Sequence, residues 1–395
     1  MPVVDLFCGC GGLSRGFELA GFDIVAAFDG WSSAVTCYNE NFDHDAHQLD
    51  LNDVDNAVNV IQQYAPTIII GGPPCQEFSN AGPRQEGDKA DLTIRYAEII
   101  THIRPQYFVM ENVPRARNSN AYTEAKALYT EHGYGLTEVV LDASRCGVPQ
   151  KRNRFFCIGA LNERDNFLLE RIFESYIGEP RSVAQYFADN NIPLEIHAYY
   201  RHPTTYHRRA IFSVDEVAPT IRGVNRPRPA TYIHHENDAV AQADVANVSK
   251  LTLRQRATIQ TFPQDFILDG LNIALCDLEQ MVGNAVPVCL AQFVANCLQR
   301  YIEEHQGGHN PMDDRQSFAE WLRAEKKYTD RSISDVFSRL HRAADILPDH
   351  DMNIYYITDL EQMPAYQNLT TAVRSQIRKA INLKLAFLRH MNEHE

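Results

Sequence analysis

The sequence predicts an α/β fold built on a largely parallel sheet, and three observations predict it. Short apolar runs alternate with stretches of helical spacing through the first part of the chain. Two of those runs end in glycine-rich turns, Gly9-Cys10-Gly11-Gly12 and Gly71-Gly72-Pro73-Pro74. A third delivers the polar pair Glu111-Asn112 at its C-terminal end.

The elements follow in order. Val3 to Phe7 is the first strand, and Leu13 to Ala20 opens a helix after the glycine turn. Asp23 to Phe28 is the next strand. Thr67 to Ile70 is a strand stopped by Gly71-Gly72-Pro73-Pro74. Leu92 to Ile103 has helical apolar spacing, and Tyr107 to Met110 and Phe155 to Ile158 read as strands. From about Asn162 to Ser249 the rhythm fades. Regular structure returns with a helix over Leu253 to Thr261 and another over Leu278 to Tyr301, where Gln280 to Pro287 marks the helix start. Gln306 to Pro311 reads as a linker, and residues 313–395 read as mostly helical, with Phe318, Trp321 and Leu322 and later Ile377, Ile381 and Leu385 as apolar positions.

Composition narrows the class. Hydrophobic residues make up 44% and charged residues 22% of the 395, which excludes a disordered chain or a collagen-like one. No apolar run approaches the roughly 18 residues of a membrane span, and the N-terminus lacks a basic leader. Nine cysteines without a C-x-x-C pair fit reduced thiols in a cytoplasm better than a disulfide framework, and no zinc spacing is present. The 37 Lys and Arg against 51 Asp and Glu leave a net charge of −14, which argues against a surface that coats a polyanion everywhere. Residues 197–230 run the other way, with six Arg and two acidic residues. That is either a solvated basic face or a local cleft for an anion.

Several blocks could carry chemistry. Asp5 to Ser14 places a strand before a glycine turn and a helix N-terminus, where unpaired N–H groups face a ligand. Ser14 stands where the dinucleotide fingerprint has its third glycine, and no Gly-Lys-Ser/Thr makes it a phosphate loop. Asp29 ends the next strand, where an acid commonly holds ribose hydroxyls; a tight turn with a surface Asp reads equally well. Pro73 to Ser79 sets Cys75 just past a strand, at the sheet edge where α/β proteins bind ligands. Glu111 is either a solvated strand end or a proton donor held in a cleft. Gln150, Arg152 and Arg154 alternate, so they share one face of an extended segment.

Taken together and in this order, Asp5–Ser14, Asp29, Pro73–Ser79, Glu111–Val113, Gln150–Arg154, Leu251–Phe266 and Gly283–Pro287 resemble the motifs of the C5-cytosine DNA methyltransferases of bacterial restriction-modification systems. The resemblance spans almost all of residues 3–300. It implies a Rossmann-like domain that uses S-adenosylmethionine (residues 1–164 and 251–305), a small target-recognition domain (165–250) and a helical C-terminal extension (313–395). It implies Cys75 as the nucleophile, Glu111 as the group at ring N3, and Arg152 and Arg154 orienting the base carbonyl and a neighbouring phosphate. Phe7, Gly9, Cys10, Gly11, Gly12, Asp29, Gly30, Asp50, Leu51, Pro74, Leu92, Asn284 and Ala285 would hold S-adenosylmethionine. Gln76, Ser79, Arg201, Arg208, Arg209, Arg222, Arg226 and Arg228 would contact double-stranded DNA, with no metal ion. Many relatives have Glu where Asp29 stands, and Glu where Gln255 follows Arg254. A restriction endonuclease partner, a monomeric state and a cytoplasmic location go with the same reading.

Other readings differ in class. A tRNA cytosine methyltransferase of the same fold usually has Thr where Ser79 stands and a shorter insert. A non-catalytic DNA-binding protein would not need Cys75, Glu111, Arg152 and Arg154 together. A nicotinamide-dependent dehydrogenase would keep the glycine fingerprint. Ser317 to Arg342 loosely resembles the helical N-terminal domains of tyrosine recombinases, with partner docking or dimerisation as an equal contender.

Overall fold

The computed structural model describes residues 1–74, 92–176, 178–203, 205, 208–306, 311–347 and 356–392. The chain divides into two compact units, Met1–Tyr301 and Ile302–Glu395.

The first unit is built on a seven-stranded sheet. Its strands are β1 (Pro2–Leu6), β2 (Asp23–Asp29), β3 (Ala46–Gln48), β4 (Ile68–Gly71), β5 (Tyr107–Asn112), β6 (Tyr134–Asp142) and β8 (Asn153–Leu161), in the order β3-β2-β1-β4-β5-β8-β6. The first five pair in parallel, and β8 runs antiparallel to both β5 and β6. Ile68, Ile69 and Ile70 of β4 are fully buried, as a parallel strand covered on both faces requires. Helices α1 (Gly12–Leu19), α2 (Ser32–Asn39), α3 (Val54–Ile61), α4 (Leu92–Ile103) and α5 (Asn120–Glu131) connect the strands. The order reverses at β1 and β4, so their C-terminal ends open the crevice where such sheets bind ligands.

The remainder of this unit holds α6 (Leu169–Ser175), α7 (Val183–Asp189), the antiparallel pair β9 (Ala198–Tyr200) and β10 (Ile211–Ser213), and β11 (Ala218–Pro219). The last pairs in parallel with β7 (Gln150–Lys151) and returns the chain to the sheet domain. Val183, Phe187, Tyr199, Val214, Ala218 and Ile221 form a small core with Leu251 and Ile259. Helix α8 (Leu253–Ile259) starts with a capping box. Gln255 Oε1 accepts from the Thr252 N–H at 2.9 Å, and Thr252 Oγ1 accepts from the Gln255 N–H at 3.2 Å. Glu and Gln both serve at that position, which is why this departure from the relatives costs nothing.

The late helical stretch differs from expectation. It is two helices, α9 (Leu275–Asn284) and α10 (Val288–Gln306), separated at Ala285-Val286-Pro287. Pro287 has no N–H to continue the ladder and holds Val286 out of helical geometry, so the motif ends one helix and precedes the next. Residues Leu275–His305 together have the length and hydropathy to cross a membrane, although no uninterrupted apolar run does. Two thirds of that apolar window, 67%, lies buried inside the fold, as in a core helix.

The second unit contains α11 (Pro311–Ala324), α12 (Asp330–Ile346), α13 (Tyr356–Gln362), α14 (Pro364–Gln367) and α15 (Thr371–Asn392). Phe318, Trp321, Leu322, Ile333, Val336 and Phe387 form one buried cluster. Tyr356, Leu360, Tyr366, Ile377, Ile381 and Leu385 form another.

A buried hydrogen-bond chain ties β1, α1 and α2 beneath the crevice. Ser14 Oγ donates to Asp5 Oδ2 at 2.5 Å, Tyr38 Oη donates to Ser14 Oγ at 2.7 Å, and His44 Nε2 lies 2.7 Å from Tyr38 Oη. Burial pushes the Asp5 carboxyl up to about 8, helped by the charge of Asp29 and opposed by the Ser14 hydrogen bond.

Two predictions follow from this architecture. A chain ending at Asn310 keeps α10 whole and should retain the melting transition of the first unit, checked by calorimetry. The second concerns Asp5. A carboxyl raised on folding contributes stability that is complete below its unfolded range and is lost as pH rises through the folded value. The melting temperature of Asp5→Asn relative to wild type should therefore climb between about pH 4 and about pH 8 and level off above. A pH-independent difference would refute it.

Candidate active site

A cleft of about 560 Å³ opens at the C-terminal ends of β1, β2, β4 and β5. Four segments of the sheet domain build its walls: the glycine turn, the end of β2, Gly72-Pro73-Pro74, and Glu111-Asn112-Val113. The C-terminal end of α9 and Val286 close it from the other side.

The glycine turn is held in an unusual shape. Phe7, which lines the cleft, has φ +58°, a left-handed conformation rare for an aromatic residue. Strain of this kind persists only where the surroundings enforce it, and it gathers at ligand sites. Asp29 is part of the enforcement. Its Oδ2 accepts from the Gly9 N–H and its Oδ1 from the Trp31 N–H, both at 2.8 Å. Burial raises the Asp29 carboxyl, and the backbone N–H groups of Trp31, Gly9 and Gly30 pull it back. Gly12 is required for a different reason: a Cβ there would lie 2.3 Å from the Val286 carbonyl oxygen.

At the opposite wall, Glu111 and Arg154 form an ion pair, Arg154 Nε to Glu111 Oε1 at 2.7 Å. Glu111 is 7% exposed. Burial pushes its carboxyl up, while Arg154 and, less strongly, Arg152 pull it down, and the balance is a raised value. Asn112 Nδ2 donates to the Pro73 carbonyl at 3.1 Å, fastening the end of β5 to the turn that leads into Cys75. Cys75, Gln76 and Ser79 lie outside the described residues.

Of the expected cofactor residues, Phe7, Gly9, Cys10, Gly12, Asp29, Pro74, Asn284 and Ala285 line the cleft. Gly11, Gly30, Leu51 and Leu92 do not, and the last two are buried core residues. Asp50 is exposed and away from the lining, with its Oδ1 taken by the N–H of Asn52 at 3.0 Å and by Asn52 Nδ2 at 2.9 Å. Trp31, Asn112, Arg115 and Gln280 also line the cleft, although none was among the expected site residues. Trp31 comes directly after the Asp29-Gly30 pair, and that adjacency was the available signal.

Arg152 departs from expectation. It is 1% exposed and absent from the cleft lining. Its Nη1 donates to the Ile221 carbonyl at 2.7 Å, and its Nη2 reaches the carbonyls of Gly283, Asn284 and Ala285 at 2.9, 3.3 and 3.0 Å. With both Nη atoms given to carbonyls, the guanidinium holds the 283–285 wall in place. Gln260 serves the same seam. Its Oε1 accepts from Gln150 Nε2 at 2.7 Å, and its Nε2 donates to the Val282 carbonyl at 2.7 Å. No spacing in the sequence marks Gln260.

The arginines expected at DNA are divided. Arg209 forms a two-pronged pair with Glu216 and stacks over Phe212, so its charge is spent internally. Arg201 donates through Nε and Nη2 to the Thr220 carbonyl at 3.1 and 2.8 Å. Arg222 reaches the His202 carbonyl, and Arg228 Nη1 donates to the Pro229 carbonyl at 3.3 Å. Arg208 and Arg226 are exposed.

The profile described as C-5 cytosine-specific DNA methylase matches residues 1–300. The Type II methyltransferase M.HindV of Haemophilus influenzae is 48% identical over 305 residues, covering 77% of this chain and 98% of that protein. The Type II methyltransferase M.HgiDI of Herpetosiphon aurantiacus is 49% identical over 309 residues, covering 77% and 96%. Among solved structures, the S. pombe Dnmt2 methyltransferase superposes with a TM-score of 0.60 at 19% identity, covering 77% of this chain and 99% of that one. With a glycine turn, a β5 acid and an arginine set around one cleft, and with kinship at this level over the whole first unit, the chain belongs to the C-5 cytosine-specific DNA methylase family.

Proposed function

We propose that the protein is a sequence-specific DNA methyltransferase that modifies C5 of a flipped-out cytosine and protects DNA beside a cognate restriction endonuclease. The observation that carries this reading is the buried Glu111–Arg154 pair across the cleft from the glycine turn, on the strand next to the one leading into Cys75. The relatives named as Type II methyltransferases support the restriction-modification setting.

The cleft fits S-adenosylmethionine. Its volume of about 560 Å³ suits a nucleoside-sized ligand. Phe7 and Trp31 offer aromatic surface, and Gly9, Gly12, Asn284 and Ala285 complete the walls. Asp29 holds the turn through Gly9 and would meet ribose from the same position. Bound there, S-adenosylmethionine supplies an electrophilic methyl group. Cytosine C5 is too weak a nucleophile to take it unaided. The Cys75 thiolate adds to ring C6, converting the ring into an enamine whose C5 can attack. Glu111 keeps its proton to higher pH than an exposed carboxyl and holds it at ring N3, where charge develops during the addition. Arg154 orients the base carbonyl and fixes the Glu111 side chain. Loss of the C5 proton and β-elimination release Cys75. C5 lies within the base stack of a duplex, so the base must leave the stack to reach the cleft. Residues 165–250 form the target-recognition domain, whose phosphate contacts set affinity and whose base contacts set sequence choice.

Cys75→Ser should abolish methyl transfer while S-adenosylmethionine still binds, because an alcohol is a far weaker nucleophile than a thiolate. Duplex DNA with 5-fluorocytosine at the target should trap wild type in a denaturation-resistant adduct, and Cys75→Ala should form none. Full turnover by Cys75→Ser would overturn the assignment. The raised Glu111 carboxyl sets a limb of the rate profile: activity falls as pH rises through it, since the working form is the acid. Glu111→Gln should lose about 10²- to 10⁴-fold in kcat and flatten that limb. Bisulfite sequencing of DNA from cells expressing the protein identifies the target, and tRNA left unmodified in the same assay separates the DNA reading from its tRNA rival.

A further inference from the structure

Beside the catalytic cleft lies a second, smaller pocket whose walls carry far more positive than negative charge. Arg201, Arg222 and Arg256 line it together with Tyr199, His202 and Asn225, and no carboxylate is among its lining residues. Its free interior is about 20 Å³, room for one water-sized atom.

The donors around it are incompletely used. Among the described residues, Tyr199 Oη, Arg222 Nε and Arg256 Nη1 are buried without a hydrogen-bond acceptor. Tyr199 is 1% and Arg256 3% exposed. One carboxylate stands near: Glu279 Oε1 is 3.8 Å from Arg256 Nη1, but it also takes Lys250 Nζ at 3.1 Å and Asn225 Nδ2 at 2.6 Å. One carboxylate among these cations leaves an excess of positive charge, with Arg256 buried and Arg201 and Arg222 half-buried. Buried cations without counter-charge are costly, so such an arrangement calls for an anion. The acid–base behaviour agrees. Burial and the charge of Arg222 lower Arg201 to about 10, and burial lowers Arg256 to about 10 against the pull of Glu279.

We infer that this pocket is an anion site that takes one non-bridging oxygen of a DNA backbone phosphate flanking the target cytosine. The inference rests on the proposed DNA methyltransferase function and deepens it. A single-atom pocket suits a phosphate oxygen reaching in from a group that stands outside, whereas the flat edge of a base needs more room. Its location fits as well. A Cβ on Gly283 would lie 2.2 Å from Gly223 N, and one on Gly223 would lie 3.3 Å from Gln280 Cα. Segment 221–225 thus separates the pocket from the cleft wall at 280–284. A strand whose base enters the cleft lays its neighbouring phosphates across that segment. Arg256 belongs to α8, outside the cation-rich 197–230 stretch, and it completes the site.

The test uses the full chain and duplex DNA bearing the site found by bisulfite sequencing. Arg256→Gln should weaken duplex binding about tenfold and reduce the slope of log K against log salt by about 0.9, one phosphate contact, with S-adenosylmethionine affinity unchanged. Tyr199→Phe removes only the orphan hydroxyl, so it folds even if Arg256→Gln does not, and it should weaken binding about threefold. A neutral methylphosphonate at one phosphate flanking the cytosine should weaken wild type about tenfold and Arg256→Gln hardly at all. An unchanged salt slope in folded Arg256→Gln, unchanged affinity in Tyr199→Phe, or insensitivity to every single methylphosphonate would overturn the inference while methylation by wild type stood. If wild type neither binds nor methylates DNA, the proposed function itself fails. Thermal protection by inorganic phosphate in wild type but not in Tyr199→Phe would then assign the pocket to a free anion and overturn the backbone-phosphate assignment.

Discussion

The fold turns on one buried guanidinium. Arg152 takes the carbonyls of Ile221, Gly283, Asn284 and Ala285, so a single side chain joins the seven-stranded sheet, the segment that follows β11, and the end of α9. Carbonyls that end a helix have lost their helical donors and need others. Arginine alone offers five donors in a planar fork, enough to gather carbonyls from two segments at once. Removing such a group leaves buried carbonyls unpaired, each at about 1–3 kcal/mol, against the roughly 5–15 kcal/mol that holds a domain together. Gln150 and Gln260 extend the same polar seam: Gln150 Oε1 accepts from the Ile221 N–H at 2.8 Å while its amide donates to Gln260. Segments remote in sequence therefore meet through directed bonds, which fix registration more closely than apolar contact does.

That seam determines what the cleft can be. Gly283, Asn284 and Ala285 form one of its walls, and their positions depend on Arg152 rather than on the strands carrying Glu111 and the glycine turn. On the sheet side, Asp29 plays the corresponding part by holding Gly9 and Trp31. Its short side chain suits this. A carboxylate one methylene longer would have to fold back to accept from the Trp31 N–H, only two residues on, so the Asp found here in place of Glu has a local explanation. Glu111 is set by the third wall. Burial pushes its carboxyl up, while Arg154 and, less strongly, Arg152 pull it down. The balance is a raised carboxyl whose position Arg154 fixes.

The legible part of the fold was the part written in local pattern. Isoleucines in β4, the glycine turn after β1 and the helical spacing of Leu92–Ile103 each announce an element from neighbouring residues alone, and each is present. Three kinds of information were not local. The break at Ala285-Val286-Pro287 was masked because the apolar spacing runs across it, and only the proline marks where one helix stops. Strand β6 was missed because Gly135, Thr137 and Glu138 interrupt its apolar pattern, which becomes intelligible only once it pairs along its length with β8. Arg152 and Arg154 look equivalent in sequence, two residues apart on one extended face. Tertiary packing sends one to backbone carbonyls and the other to a carboxylate.

Charge shows the same limit from the other side. Counting arginines in 197–230 locates a basic region, but it counts side chains that the fold has already engaged. Arg209 is neutralised by Glu216, and Arg201 lends two donors to a carbonyl. Arg256, by contrast, sits in a helix that looks like ordinary core in sequence, and it arrives beside Tyr199 and Arg222 only because α8 packs against the small core that holds Val183, Tyr199 and Ile221. A cation already paired within the fold has less to offer a polyanion than one whose donors stay open. An acidic chain can therefore bind DNA without a basic coat. It needs a few cations whose partners the fold withholds, placed where the substrate's own phosphates complete the count.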